Sequence, residues 1–506
     1  MRLELVKYQD YKEELLLGRY INNESIYKLK KKYDFSIIGE STNNLPIFSI
    51  KCGSGSVKIL IWSQMHGNES TSTKALFDCL SFFFKYERDI FSKVTLFVIP
   101  ILNPDGALNY TRENINNVDL NRDAQYLSQV ESYSLRNEYN QFNPDFCFNL
   151  HDQRTIYSVK GTRPSILSFL SPSADIEKSE TNSRKDSMRV IASINKKLSL
   201  IIPGNISRYK DDFNINCVGD TFQSLNTPTI LFESGHIGQD YEREKTREYM
   251  SYALIQSIKS IAYKEFVKMN FKDYYLIPEN TQCLCDIFLK NVNVIIDNKN
   301  SKTCINIMFS EVLDIEKKEI KLEPYIEKYG DYSNMSGHLT LDFNTVDKCF
   351  DLSSSLVINE LMVYVSELRI IQWYWVLIKN NSIHLRFVKF KINKMAKLKL
   401  DEIDHQILDL LIDNTRTAFT DIAKQLLISA GTVHVRVKKM EDAGIIKGSS
   451  LTLDYKKLGY TFIAYIGIFL EKTHQTKFVL EHLKSIPFVT VAHITTGKFN
   501  IFVKVR

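Results

Sequence analysis

Short, unbroken apolar runs recur through the first half of the chain, and each ends in polar residues. They are VKILIWSQM (57–65), KVTLFVIPIL (93–102), DFCFNLH (145–151) and TPTILFES (227–234). Runs of this length without polar alternation predict strands buried on both faces. Between the first two, TSTKALFDCLSFFFKY has helical periodicity, as a crossover connection requires. From about residue 266 the pattern changes to alternating runs such as VNVIIDN, INIMF and GHLTLDF, which predict a small β-rich region. From Met395 it changes again, to three helical periods with short breaks.

The strand ends carry the candidate chemistry. His66 and Glu69 follow the first run, Asn103 to Gly106 the second, His151 closes the third, and Glu233 the fourth. In open α/β sheets ligands bind at the carboxyl ends of strands. A single histidine there is more often structural than a ligand. Two histidines and a glutamate, however, make the His₂Glu set of a catalytic zinc site, which leaves a fourth position for water. His66 and Glu69 share one turn, so one rigid loop presents both, and Glu233 is the natural proton-handling base. Asn-Pro and Asp-Gly are also turn dipeptides, so Asn103 to Gly106 reads as scaffold around the site.

At 506 residues and 58.7 kDa the chain exceeds a single core, which predicts two to four domains. With 44% hydrophobic and 25% charged residues, no long segment is depleted enough to be disordered. The first twenty residues are too charged for a signal-peptide core, which predicts a cytoplasmic protein. The most apolar late stretch carries Glu360, Glu367 and Arg369, so no membrane partner is expected. Eight cysteines scattered from Cys52 to Cys349 suit reduced thiols, and the close pair Cys283 and Cys285 suits core packing better than a metal. Net charge is +6 and uneven: from Met395 onward 16 Lys/Arg face 11 Asp/Glu, which leaves 49 against 48 before it. A near-neutral larger part and a basic tail point to two jobs.

HGNE, NPDG, TRENINNVDLNRD, NLH and LFESG follow one another in the order and coarse spacing of M14-type zinc carboxypeptidases, and residues from about 20 to 265 resemble that family. The resemblance implies a mixed, largely parallel sheet flanked by helices and one Zn²⁺ held by His66, Glu69 and His151. It implies Glu233 as general base and Arg112 as the stabiliser of the oxyanion. Asn121 and Arg122 would hold the substrate's terminal carboxylate, and Asp119 would fix the tautomer of His66. Two positions depart from the pattern. Asp152 stands where a small or neutral residue is usual, and its carboxylate is expected to favour cationic substrates or to weaken water ionisation. The substrate-facing tyrosine has no firm match, Tyr209 being the candidate. Related deacylases of acylated amino acids share the HGNE loop; NPDG and the arginine set favour a peptidase-like amidohydrolase, with a peptide or an acylated amino acid as its substrate.

In the tail, Ile403, Ile407, Leu410 and Leu411 repeat at helical spacing, and Thr420 is a plausible cap for the second helix. SAGTVHVRVKKMEDAG then turns Val433 and Val437 inward and Arg436, Lys438 and Lys439 outward, a helix-turn-helix pattern suited to duplex DNA. A basic solvated helix in an ordinary bundle is the plainer alternative. Ser429, Thr432, His434, Arg436, Lys438 and Lys439 are the candidate DNA-facing residues. DEIDHQILDLLIDNTR, DIAKQLLISAGTVHVRVKKMEDAGII and the stretch from FIAYIGIFLE to Arg506 resemble Lrp/AsnC transcription regulators. That family follows its DNA-binding helices with an effector-binding, dimerising βαββαβ domain, here read as shortened to βαββ.

The expected organisation is a zinc carboxypeptidase-like α/β domain (1–265), a β-rich appendage (266–353), a linker (354–394), a helix-turn-helix domain (395–450) and an incomplete α+β domain (451–506). IIQWYWVLIKNNSIHLRFVKFKINK (370–394) is rich in aromatics and lysine without a clean period, unlike Pro- or Gly/Ser-rich linkers. It reads as a junction of two neighbouring genes, joined by read-through or by a sequence error.

Overall fold

The computed structural model describes residues 6–367 except 297, 298, 333, 345, 347 and 355; residues 374–379 and 382–387; residues 401–442 except 415 and 416; and residues 446, 464–468, 483, 489–494 and 501–505. The chain divides into two compact units, Met1–Lys389 and Phe390–Arg506. Residues 368–373, 380, 381 and 388–394 of the expected linker, 395–400 of the expected helix-turn-helix domain and most of 443–500 lie outside the described residues.

The first unit is built on an eight-stranded mixed sheet of β1 (Phe35–Glu40), β2 (Pro46–Cys52), β3 (Val57–Ser63), β4 (Val94–Ile99), β5 (Phe146–Asp152), β6 (Leu167–Leu170), β7 (Ile206–Arg208) and β8 (Thr229–Ser234). Their order is β1-β2-β4-β3-β5-β8-β6-β7, and the central four strands β4, β3, β5 and β8 run parallel. The apolar runs are continuous because both faces are covered. Ile59, Ile61, Phe146, Phe148, Ile230 and Phe232 pack in one core with helices α1 (Thr71–Tyr86), α3 (Asn182–Leu198) and α5 (Glu244–Ala262). Leu60, Trp62 and Cys147 point the other way, to α2 (Val130–Phe142) and α4 (Val218–Ser224). Behind the sheet, α1 and α5 are clasped by a fully buried pair in which Arg247 Nε and Nη2 each donate to Asp78 at 2.7 Å.

A second sheet follows, with β9 (Leu284–Ile296), β10 (Lys299–Asp314), β11 (Glu319–Gly330), β12 (Ser336–Asp342), β13 (Cys349–Asp351), β14 (Tyr374–Lys379) and β15 (Ser382–Phe387). Its order is β12-β9-β10-β11-β15-β14, and β13 also pairs with β9. Residues 357–367, 374–379 and 382–387, part of the stretch read as a linker on sequence, therefore belong here. Val357, Leu361, Met362 and Val365 of α6 (Val357–Glu367) recur at helical spacing and are buried against this sheet, and β14 and β15 extend it. All eight cysteines are free thiols, and Cys285 is buried in a small apolar cluster.

In the second unit, α7 (Glu402–Asp413), α8 (Phe419–Gln425) and α9 (Ala430–Asp442) enclose Ile407, Ile422, Val433, Val437 and Met440. Three antiparallel strands, β16 (Ala464–Ile468), β17 (Val489–Ile494) and β18 (Ile501–Val505), follow in the order β16-β18-β17. The helix expected between the first two lies outside the described residues. No helix among the described residues is long and apolar enough to cross a membrane.

Asp286 of β9 ties the second sheet to the loop that joins β8 to α5. Its Oδ1 accepts from the Tyr241 hydroxyl at 3.0 Å and its Oδ2 from the Phe309 amide at 2.8 Å. Burial pushes its carboxyl from an ordinary 3.8 up to about 6. A raised carboxyl contributes stability that is complete below about pH 4 and lost as pH rises through about 6. Urea unfolding of the first unit's transition should therefore show the wild type losing about 3 kcal/mol, at most, relative to Asp286→Asn between pH 4 and pH 7. An offset between the two proteins that does not change with pH would contradict this.

Candidate functional site

The loop after β3 turns back at once into α1, and residues 64–70 are pinned from three sides. Asn103 N donates to Gln64 O at 3.0 Å, Asn68 N to Thr111 O at 3.1 Å, and the Gln64 amide to Ile21 O at 3.0 Å. The glycine in HGNE is required by contact: a Cβ on Gly67 would lie 1.9 Å from the Gly106 carbonyl carbon. Gly106 itself belongs to the short helix Pro104–Asn109, capped by Asn103, whose Oδ1 accepts from Gly106 N at 2.8 Å. The NPDG stretch is thus the wall against which the loop is built.

His66, Glu69 and His151 converge, and no other such cluster of three ligating side chains occurs among the described residues. His66 Nδ1 lies 2.9 Å from Glu69 Oε1, His151 Nδ1 lies 2.8 Å from Glu69 Oε2, and the two Nδ1 atoms are 3.1 Å apart. Donors bonded at about 2.0–2.1 Å to one tetrahedral ion sit about 3.3 Å apart, so this set fits a zinc ion with little movement. Two imidazole nitrogens turned towards each other suit a shared cation. His66 Nε2 faces Asp119 Oδ1 at 3.0 Å, which leaves its Nδ1 lone pair directed inward.

The surrounding charges follow the same plan. Burial lowers His151, whereas for His66 the charge of Glu69 and the hydrogen bond to Asp119 outweigh burial and raise it. Burial would raise Glu69, but the two imidazoles hold it well below its ordinary value. Glu233 pairs in register with His151 across β8 and β5, so both point to the same face of the sheet. Burial, then the charges of Glu69 and Asp152, raise its carboxyl well above its ordinary value, and its Oε2 is buried without a hydrogen-bond partner.

The remaining candidates surround this centre. Arg112 donates to Glu69 Oε1 at 3.2 Å and to Asp119 Oδ2 at 3.1 Å, with its side chain 42% exposed. Arg122 is exposed and donates to Asn121 O at 2.7 Å, beside the Cys217 thiol. The Asn121 side-chain oxygen is occupied, accepting from Val218 N at 3.0 Å. Tyr209 packs at a tilt against Tyr157, ring centres 5.2 Å apart, and its phenol is raised by burial and then by the charge of Glu233. His236, unassigned on sequence, packs against His338 of β12 and donates through Nε2 to Gly238 O at 2.7 Å.

Asp152 has a different role from the one expected. The strand pleat turns it away from His151, and its oxygens accept from Thr71 N at 2.9 Å and Ser72 N at 3.1 Å. It replaces the missing side-chain cap of α1, since Ser70 makes no cap hydrogen bond, and its own N–H donates to Glu69 Oε2 at 3.2 Å. A buried anion here satisfies orphan helix donors and the positive helix end. The period-2 alternation of a strand was the signal: neighbours of a ligand face the other side.

In the second unit, Ser429 caps α9 through Oγ, accepting from Thr432 N at 3.0 Å. Lys438 and Lys439 are exposed, and His434 is exposed with its ring near Phe419. Arg436 does not project freely: its Nη1 donates to Asp401 Oδ1 and Oδ2 at 2.8 and 2.7 Å and to Asp404 Oδ1 at 2.7 Å. It ties α9 to the start of α7, because the two aspartates form that helix's capping box directly opposite. The cap expected at Thr420 is also displaced: α8 starts at Phe419, with Ala418 in the cap position and no side-chain cap bond.

Residues 25–153 match the family profile of zinc carboxypeptidases, and residues 400–447 that of winged helix-turn-helix DNA-binding domains. The regulatory protein AsnC of Escherichia coli (strain K12) is 43% identical over 111 residues, 22% of this chain and 73% of that protein. That of Haemophilus influenzae is 42% identical over 106 residues, 21% of this chain and 71% of its own length. The crystal structure of a metallo-carboxypeptidase from Burkholderia cenocepacia is similar over 49% of this chain and 70% of its own, at 14% identity and a TM-score of 0.40.

Removing the Asp152 carboxylate leaves Thr71 N and Ser72 N unsatisfied and takes from Arg243, 4.0 Å away, one of its two counter-charges. Asp152→Ala should therefore destabilise the first unit by about 3–5 kcal/mol in urea unfolding, and Asp152→Asn by less. A change below about 0.5 kcal/mol for the alanine variant would contradict the anchoring role.

Proposed function

Since the chain belongs to the Lrp/AsnC family of transcription regulators through its C-terminal part, and carries a zinc carboxypeptidase-type domain at residues 25–153, we propose that it is a cytoplasmic zinc-dependent hydrolase joined in one polypeptide to a DNA-binding segment. The hydrolase removes a C-terminal residue from a peptide, or the acyl group from an acylated amino acid. The observation that carries this reading is the convergence of His66 Nδ1, His151 Nδ1 and the Glu69 carboxylate at 2.8–3.1 Å spacing on the strand ends.

His66, Glu69 and His151 would hold a zinc ion, which would supply Lewis acidity that eases water ionisation and polarises the scissile carbonyl. Glu233, on the same face as His151, takes the proton of the attacking water and returns it to the departing nitrogen. The Arg112 guanidinium, more than a third exposed at the rim, donates to the developing oxyanion. Arg122 and the free amide NH₂ of Asn121 receive the terminal carboxylate, the planar guanidinium matching its two oxygens. Asp119 holds the His66 ring in the tautomer that offers Nδ1 to the ion.

In the tail, Thr432, His434, Lys438 and Lys439 of α9 meet the major groove and its phosphates, while Arg436 fixes the angle of that helix on α7.

Two outcomes follow. Glu233→Gln should retain its metal and lose about 10²–10⁴-fold in kcat on C-terminal peptides or N-acyl amino acids; unchanged turnover would overturn the role. Lys438→Glu with Lys439→Glu should weaken duplex binding and reduce the slope of log K against log salt by about 2, one per lost phosphate contact. Equal affinity and equal slope would overturn the DNA assignment.

A further inference from the structure

Three backbone segments far apart in the chain come together at one carboxylate. Glu311, near the end of β10, accepts from Arg19 Nη2 at 3.2 Å and from the Tyr110 hydroxyl, while Arg19 Nη2 also donates to the Tyr110 oxygen at 3.3 Å. Arg19 is 6% exposed and Tyr110 8%. Each of these two lies next to the machinery. Tyr110 is two residues before Arg112 and holds a left-handed backbone (φ 57°) at the end of the short helix Pro104–Asn109. Thr111, between them, accepts from Asn68 N in the ligand loop at 3.1 Å. The carbonyl of Arg19 accepts from Ser70 Oγ at 2.5 Å, one residue after Glu69.

A bulky residue in the left-handed region is held there only when its surroundings over-determine it. Here the restraint is the Tyr110 hydroxyl clamped between a carboxylate and a guanidinium. The charges also require Glu311. Two buried guanidiniums, Arg19 and Arg243, stand in one another's field, and Asp152 and Glu311 are the acids that answer them. Burial would raise the Glu311 carboxyl, but Arg19 and then Arg243 outweigh it and keep it ionised. Its strand is in turn fixed two residues earlier, where Phe309 N donates to Asp286.

We propose that Glu311 is a positioning residue for the Arg112 loop, which makes the β-rich segment 284–342 a working part of the hydrolase. This rests on the assignment of Arg112 to the oxyanion. Through Tyr110, Glu311 sets where the Arg112 guanidinium stands; through Arg19 it braces the loop that carries Glu69. Displacement of a catalytic group by about 1 Å costs up to about 10²-fold in rate, so even small release of this clamp is measurable.

The test uses the full chain with Tyr110→Phe, which removes one hydroxyl and no charge, Glu311→Gln, and the double variant. Each single variant should lower kcat about 10-fold with KM and zinc affinity within about 2-fold, and the double variant should fall no further, because both changes act through one contact. Hydrogen exchange of the amides of residues 104–114 should quicken in all three, a readout independent of turnover. Folded single variants with unaltered kcat and unaltered exchange over 104–114 would overturn the proposal. Should the wild type hydrolyse neither substrate class, the hydrolase assignment fails, and the exchange result alone decides whether Glu311 holds this loop.

Discussion

Glu69 is a carboxylate placed almost out of water between two imidazoles, and the arrangement of the first unit serves that placement. One oxygen faces His66 Nδ1 and Arg112; the other faces His151 Nδ1 and the amide of Asp152. Burying a carboxylate is costly unless it is paired and hydrogen-bonded, and here each oxygen has two partners. Those partners come from the turn after β3, from the 110–114 loop and from the end of β5. The site exists only if β3 and β5 lie side by side and parallel, which they do in unbroken register from Ile59 against Phe146 to Ser63 against Leu150.

Much of the central sheet was legible in the chain. The four apolar runs became the four parallel strands because continuous apolar runs too short for a buried helix suit strands covered on both faces, and the stretch from Thr71 to Tyr86 is helical as its periodicity requires. The convergence of His66, Glu69 and His151 followed from the rule that strand ends gather at one edge. Asp152 was misread because adjacency in sequence was taken for adjacency in function, although a strand sends neighbours to opposite faces. The ion pairs of Arg436 were not legible either. A helix-surface arginine looks free until the residues across from it are known, and the aspartates that hold it lie 32 and 35 positions earlier. Glu311 had no local signal at all; its meaning comes from Arg19, at a separation of 292 residues. Residues 354–394 were read as a linker because 370–394 shows no clean period, yet Val357, Leu361, Met362 and Val365 pack into the core of the second sheet and residues 374–379 and 382–387 add strands to it.

The two halves of the chain are built on different physics. In the first unit a nearly neutral surface surrounds a compact, heavily hydrogen-bonded polar centre. In the second, a small apolar core of α7, α8 and α9 presents lysines outward from one helix. The hydrolase assignment depends on buried geometry that few substitutions would spare, whereas the DNA assignment depends on exposed charge and on the angle of α9, which the Arg436 ion pairs hold.

The most direct measurement is zinc content and coordination of the full chain, purified without added metal, by elemental analysis and X-ray absorption. The account predicts about one zinc per chain, with two imidazole nitrogens and a carboxylate at about 2.0–2.2 Å, and its loss in His151→Ala. A chain that binds no zinc under saturating conditions, or one whose zinc has sulfur ligands and survives His151→Ala, would contradict it.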